Sequence, residues 1–276
     1  MSAPMTTGHP VPKQLVSNKR QEPASTLVAI PVFNEAEYVD DVLREVRRYA
    51  GDILLVNDGS TDGTSQVLAK HGCVRVISHK KNIGYGRSLI DAFRFAVGND
   101  FDWMITLDCD HQHEPSYIPR FYDEIKKGDA DIISGSRYLK KICSGSVPPP
   151  AERVAINGKT TEILNRSLGI DLTDAFCGFK AYRVEPILKL SLTETGYGLP
   201  LQLWIRAARA GLRIREISVP LIYHDPKRNF SGALEEPEIR FDYYIKIIEK
   251  ELGYNVSQNI REPFHRREEQ SHLRKS

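Results

Sequence analysis

The sequence lacks the long apolar segments that mark membrane-spanning helices. None of its uninterrupted apolar runs nears the roughly 18 residues that such a helix needs. Residues 1–25 are rich in Pro, Ser and Thr and contain no apolar stretch typical of a signal peptide. These absences predict a cytoplasmic protein without a transmembrane segment, with peripheral contact to a membrane as an alternative.

Other absences remove further classes of protein. The chain has 38 Lys and Arg against 36 Asp and Glu, so it lacks the strongly basic character expected of a nucleic-acid-binding protein. Its four cysteines are widely separated and offer no paired spacing for zinc or a redox motif, which fits a reducing compartment. There is no P-loop motif, and no glycine-rich turn follows the first predicted strand, so neither a P-loop nor a Rossmann dinucleotide site is supported.

The chain divides into three parts. We expect a disordered leader over 1–25, one folded domain over 26–255 and a charged flexible tail over 256–276. In the first half of the domain, short apolar runs alternate with helical patterns. That alternation predicts an α/β fold with a mainly parallel, Rossmann-like sheet flanked by helices. The strands are expected at 27–33, 53–56, 74–77, 102–107 and 132–134.

The second half is less regular. The patterns predict helices over 151–168, 201–210 and 237–252, and short strands ending near 182 and 217. Helix 237–252 is amphipathic. It either packs on its own domain, which is the commoner arrangement, or rests on a membrane surface.

Carboxylates follow three of the predicted strands. Glu35 follows the first strand, Asp58 the second, and Asp108 and Asp110 the fourth. Because ligands bind at the carboxyl ends of parallel strands, we expect these side chains to converge on one edge of the sheet. Two aspartates one residue apart in a turn can both face a hard divalent cation, which would in turn bind a diphosphate. The alternatives are an ordinary polar turn for the Asp-x-Asp pair and helix capping for Glu35 and Asp58.

Four motifs carry a resemblance to a known family. They read VAIPVFNE at 28–35, VNDGSTDGT at 56–64, NIGYG at 82–86 and DCDHQ at 108–112. In order and spacing they resemble glycosyltransferase family 2, whose GT-A fold would cover roughly residues 27–225. Residues 135–137 (GSR) and 174–180 (DAFCGFK) are similar to the branch of dolichol-phosphate mannosyltransferases and polyprenyl-phosphate glycosyltransferases.

The resemblance implies a GDP- or UDP-sugar donor, a divalent metal (Mg²⁺ or Mn²⁺) and inversion at the anomeric carbon. Asp108, Asp110 and Gln112 would bind the metal. The residues implied to bind the nucleotide-sugar are Pro31, Asn34, Glu35, Asp58, Asn82, Gly84 and Asp108. The residues implied to be catalytic are Asp110, Asp174, Arg137 and Arg228.

The acceptor side rests on arginines. Arg137, Arg153 and Arg228 would bind the phosphate of an acceptor, since the guanidinium fork suits phosphate oxygens. Each could equally be a solvated surface arginine. A phosphate acceptor is already ionised and needs no general base, whereas a hydroxyl acceptor would need one, with Asp174 as the candidate. Otherwise Asp174 braces the turn at 177–179.

The preferred acceptor is therefore a polyprenyl or dolichyl phosphate. The alternatives are a hydroxyl of a glycan or small molecule, and a sugar-nucleotide-binding protein without activity. Two departures from the branch bear on the acceptor: residues 177–180 read CGFK where the branch usually has SGFR, and the membrane helices of many relatives are missing.

Overall fold

A computed structural model describes residues 24–72, 74–140, 148–222 and 232–256. Nearly all of the predicted leader and tail lies outside these ranges, and so does Arg228.

The described residues form a seven-stranded mixed sheet in the order β3-β2-β1-β4-β6-β5-β7. The predicted mainly parallel sheet is confirmed. Strands β1, β2, β3 and β4 run parallel, as do β5 and β7, while β6 is antiparallel to both of its neighbours. The strands are β1 (Thr26–Val32), β2 (Ile53–Asn57), β3 (Arg75–Ser78), β4 (Trp103–Thr106), β5 (Ile132–Ser136), β6 (Lys180–Arg183) and β7 (Ile214–Ser218).

Helices cover both faces of the sheet. They are α1 (Val39–Val46), α2 (Thr64–Leu68), α3 (Tyr85–Gly98), α4 (Ile118–Lys127), α5 (Ala151–Leu168), α6 (Val184–Leu188), α7 (Leu199–Arg209) and α8 (Pro237–Leu252). The predicted bounds of α5 and α8 agree with the structure. Neither α4 nor α6 is predicted from the sequence. Helix α4 nevertheless has buried residues at helical spacing (Ile118, Phe121 and Ile125), and it ends at Gly128 in the left-handed conformation.

The core lies in two layers, one on each face of the sheet. Along β1, Leu27 and Ala29 face one layer while Val28, Ile30 and Val32 face the other. A sheet that is buried on both faces explains why its strands read as continuous apolar runs.

Helix α8 packs on its own domain, against α5 and α7. Its buried residues include Tyr244, Ile245, Ile247 and Ile248. Among the residues described, no helix is both long enough and apolar enough to cross a bilayer.

Candidate active site

The carboxyl ends of β1, β2 and β4 open into a cavity of about 450 Å³. The cavity brings together most of the residues that the sequence singles out. Those lining it are Pro31, Glu35, Asp58, Asn82, Asp108, Asp110, Gln112, Arg137 and Arg153. Three others lie outside the lining: Gly84 and Asp174 are hydrogen-bonded to the lining residues Asp58 and Arg137, and Asn34 directly precedes Glu35 in the chain.

Asp58 organises the loop that follows β3. Its carboxylate accepts the N–H groups of Ile83 at 3.0 Å and Gly84 at 2.8 Å, and lies 2.6 Å from Nδ1 of His79. Gly84 has a φ of +109°, and a Cβ there would come within 2.2 Å of the carbonyl oxygen of Thr195. Only glycine meets both conditions. The carboxylate therefore holds the NIGYG segment in place at the cavity edge.

Asp58 does not cap α2, the helix that follows its strand. Its carboxylate accepts from the loop after β3, and the first N–H of α2, from Thr64, donates to Asp62 at 3.0 Å. Asn34 ties two loops together, because its Oδ1 accepts the N–H of Thr61 at 2.8 Å. Glu35 is buried and lines the cavity.

The turn after β4 lies at the cavity. Asp108, Asp110 and Gln112 line it, and Cys109 also borders it but is only 2% exposed and packs in the core. Asp110 accepts the N–H of Gln112 at 3.0 Å, which closes the turn. The short motif thus brings three oxygen-bearing side chains to the cavity.

A buried histidine, His113, accepts a hydrogen bond from the backbone of this turn. The N–H of Asp108 donates to Nδ1 of His113 at 3.0 Å. Burial lowers the pKa of His113 to about 4, so its ring is neutral at pH 7. Because Nδ1 accepts a hydrogen bond, the ring proton sits on Nε2, which lies 3.9 Å from Sγ of Cys177.

Asp108 has two further close neighbours. The hydroxyl of Tyr85 donates to its Oδ1 at 3.3 Å. A Cβ on Gly178 would come within 2.2 Å of its Oδ2, so the backbone at Gly178 packs directly against the carboxylate. Burial, followed by the charge of Asp108, raises the pKa of Tyr85 well above its usual value, so the phenol keeps the proton that it donates.

The donor set fits a divalent cation that is bound together with phosphate. In the described ranges no three His, Cys, Asp or Glu side chains cluster in a way that would hold a metal by themselves. Asp108, Asp110 and Gln112 supply two carboxylates and one amide oxygen. Mg²⁺ is commonly bound in this manner, by one or two carboxylates with waters and substrate phosphates completing its coordination.

One residue of the cavity lining, Arg137, belongs to a buried ion pair. Arg137 donates from Nε to Asp174 at 2.6 Å and from a terminal nitrogen at 2.9 Å. The Asp174 side chain is fully buried and also accepts the N–H groups of Phe176 at 3.2 Å and Cys177 at 3.1 Å. Burial raises the pKa of Asp174, but the charge and hydrogen bonds of Arg137 outweigh that effect and lower it below the usual range.

Asp174 therefore braces the 177–179 turn, as in the second of the two roles considered for it; a role as general base stays a prediction. Arg153 lies in the first turn of α5 and lines the cavity. Arg228 falls outside the described residues, so its role also stays a prediction.

Sequence reasoning missed three polar residues of this region: His79, Tyr85 and Lys180. Tyr85 lies inside the NIGYG motif and Lys180 inside CGFK. Membership of these motifs is a signal for both residues, but it indicates no particular role. His79 has no sequence signal, since its partner Asp58 lies 21 residues earlier.

Comparison with known proteins identifies the family. The family model for "Glycosyl transferase family 2" matches residues 27–190. An undecaprenyl-phosphate mannosyltransferase of Micrococcus luteus is 30% identical over 71% of this chain and 83% of its own length. A dolichyl-phosphate hexose transferase of Haloferax volcanii is 31% identical over 70% of this chain and 81% of its own.

Solved structures agree on the fold. The crystal structure of glucosyl-3-phosphoglycerate synthase from Mycobacterium tuberculosis, in complex with Mn²⁺ and uridine-diphosphate-glucose, superposes with a TM-score of 0.64. The match has 19% identity and covers 85% of this chain and 81% of that one, which confirms the predicted GT-A fold. By the family match and by its relatives, this chain is a glycosyltransferase and belongs to glycosyltransferase family 2.

Proposed function

We propose that the protein is a metal-dependent, inverting hexosyltransferase that moves a sugar from a GDP- or UDP-sugar to a polyprenyl or dolichyl phosphate. The observation that carries the proposal is the composition of one cavity. Carboxylates line the edge formed by β1, β2 and β4, and the cationic side chains of Arg137 and Arg153 line the same cavity. A nucleotide-sugar and an anionic acceptor need these two kinds of surface side by side.

The acidic edge suits the donor. Glu35 and Asp58 offer carboxylate oxygens to the N–H and O–H groups of a nucleoside. Asp108, Asp110 and Gln112 would hold the metal, as the Mn²⁺ and uridine-diphosphate-glucose bound by the mycobacterial structure suggest. The metal, when bound, would offset the negative charge that builds on the leaving nucleoside diphosphate.

The arginines of the cavity lining suit a phosphate acceptor. In the transfer, the bond from the anomeric carbon to the diphosphate breaks and a bond to an acceptor oxygen forms on the opposite face. An ionised phosphate needs no base for this step, whereas a hydroxyl does. Asp174 is the candidate base, but its oxygens already accept from Arg137 and two backbone N–H groups. This engagement favours the phosphate acceptor, the class that the names of the two relatives specify.

A polyprenyl phosphate is a membrane lipid, so on this proposal the protein must reach a membrane surface without a spanning helix in its described part. Arg153, at the start of α5 and on the cavity wall, is the residue we assign to the acceptor phosphate together with Arg137.

Calorimetric titration with UDP, GDP and their common sugar conjugates, with and without Mg²⁺ or Mn²⁺, tests the proposal. We expect metal-dependent binding of one nucleotide, followed by sugar transfer to a short polyprenyl phosphate. Transfer to a free sugar or glycan instead would support the hydroxyl alternative. Binding without turnover on any acceptor would support the non-catalytic alternative, and a folded protein that binds no nucleotide would refute the donor assignment.

A further inference from the structure

Lys180 is a buried cation on the cavity wall. It lies in β6, between β4 and β5, and is only 2% exposed, yet its side chain lines the cavity with Gly178 and Tyr182. Its ammonium donates to the carbonyl oxygen of Cys177 and lies 5.5 Å from the centroid of the Trp204 ring.

The charge of Lys180 has no paired carboxylate among the described residues. An ammonium carries three N–H donors, and here a single hydrogen bond uses one of them. Arg137 differs, because Asp174 balances its charge in a two-point ion pair. A buried ammonium that faces a cavity without a counter-ion is costly, unless a ligand supplies the missing charge.

The surroundings of Lys180 favour an anionic ligand. Burial lowers its pKa, while Cys177, Asp174 and Asp108 act in the opposite direction. A phosphate oxygen arriving in the cavity would favour the charged ammonium further. Lys180 lies two residues after Gly178, whose backbone packs against Asp108. Lys180 and the proposed metal carboxylates therefore line neighbouring parts of one cavity.

We infer that Lys180 is a further catalytic residue whose ammonium contacts a phosphate oxygen at the reacting centre. The inference rests on the proposed function. The phosphate belongs either to the leaving diphosphate of the donor or to the acceptor, and the ammonium keeps its proton in both cases. Its role is to balance negative charge on that phosphate, in addition to the charge that the metal would balance.

Lys180→Gln tests the inference, because glutamine keeps a donor for the Cys177 carbonyl and removes the charge. Lys189→Gln is the matched control, since Lys189 is an exposed lysine that pairs with Glu185 and lies outside the cavity lining. Titration with UDP and GDP in the presence of Mn²⁺ reads the donor arm. The KM for a polyprenyl phosphate and the turnover number read the acceptor arm.

For Lys180→Gln we expect a loss on the order of ten- to a hundred-fold in one of the two arms, the usual size for a hydrogen bond to a charged group. Weaker nucleotide binding assigns the contact to the donor diphosphate. Unchanged nucleotide binding with a raised KM or lowered turnover assigns it to the acceptor phosphate. Lys189→Gln should match the wild type in both arms.

A structural role would have a different signature. If Lys180→Gln only lowers the melting temperature and both arms stay at wild-type values, the inference is wrong. Should that variant fail to give a cooperative melting transition, Lys180→Met replaces it, because methionine fills a similar volume without a polar atom. If the wild-type protein binds no nucleotide, the proposed function itself is wrong. If the wild type binds nucleotide and Lys180→Gln matches both it and Lys189→Gln in nucleotide affinity, KM and turnover, only the Lys180 inference is wrong.

Discussion

Strand β5 has an aspartate–arginine pair at each end, and the two pairs differ in their exposure. Before the strand, Asp131 accepts from Arg213 at 2.9 and 3.0 Å; the arginine side chain is 50% exposed, although the aspartate is only 10% exposed. After the strand, Arg137 bonds Asp174 with the same two-point geometry, but the two side chains are only 13% and 0% exposed.

The difference follows from the polarity of the sheet. Ligands bind at the carboxyl ends of parallel strands, so the second pair lies at the cavity wall and the first at the far edge. The exposed pair fastens the start of β5 to the start of β7, where water and salt screen its charges. The buried pair has no such screening, so its loss should cost more. Side chains that line the cavity at the carboxyl edge should affect ligand binding, and those at the amino edge should affect stability alone.

The largest effect is expected at the buried pair. Asp174→Asn leaves the Arg137 charge without a carboxylate in a buried position, and we expect it to lower the free energy of unfolding by about 3 kcal/mol. Urea denaturation measures this loss, with Asp131→Asn as the matched control at the exposed pair. Equal losses in the two variants would remove the distinction between the two ends.

The same variant also distinguishes the two acceptor classes. If Asp174 only braces the 177–179 turn, the fraction of Asp174→Asn that remains folded should transfer sugar at close to the wild-type rate. A large loss of turnover in fully folded protein would instead support a general base and a hydroxyl acceptor.

At the carboxyl end of β4, Asp110→Ala should weaken metal-dependent nucleotide binding by about a hundred-fold or more. Removing groups that merely support a metal ligand already costs about ten- to a hundred-fold, and Asp110 is assigned as a ligand itself. Asp123→Ala is the control, since Asp123 is 69% exposed on α4 and pairs with Lys126. Calorimetry with Mn²⁺ measures both. Unchanged nucleotide affinity in Asp110→Ala would exclude Asp110 from the metal site.

A smaller effect is expected where the backbone packs against Asp108. The methyl group in Gly178→Ala would lie within 2.2 Å of Asp108 Oδ2 and would push the carboxylate aside. We expect roughly ten-fold weaker metal-dependent binding, the lower end of the range for a displaced supporting contact. In Gly158→Ala the added methyl group meets no atom within 4 Å, so that variant should bind like the wild type. If the two variants bind equally well, the position of Asp108 is not critical.

The parts of this site that the sequence predicts are the ones built within a short segment. The turn after β4 places Asp108, Asp110 and Gln112 together through bonds to near neighbours, such as the one from Gln112 to Asp110. Strand alternation also predicts the common edge where Glu35 and Asp58 meet these residues. Such features depend on local periodicity and on sheet polarity, which a single sequence records.

The features that escape prediction depend on long-range pairing. Arg137 and Asp174 are 37 residues apart, and nothing in either segment indicates that their charges cancel. Lys180 reads as a surface lysine until β6 is inserted antiparallel between β4 and β5, which turns its side chain into the cavity wall. No periodicity in the sequence encodes the direction of β6.

The smallest effect is expected at the exposed pair, and it should depend on pH. Hydrogen bonds from Arg213 lower the pKa of Asp131 to about 2. Because this folded-state pKa lies below the unfolded value near 4, the pair stabilises the protein above about pH 4, and the contribution is lost as the pH falls towards 2. Because Arg213 is half exposed, solvent screening keeps this contribution small, and Asp131→Asn should remove it. Urea denaturation between pH 2 and 6 should therefore give a shallower stability profile for Asp131→Asn than for the wild type, with unchanged nucleotide binding at pH 7. A profile that matches the wild type, or a loss of nucleotide binding, would contradict the assignment of this edge to stability alone.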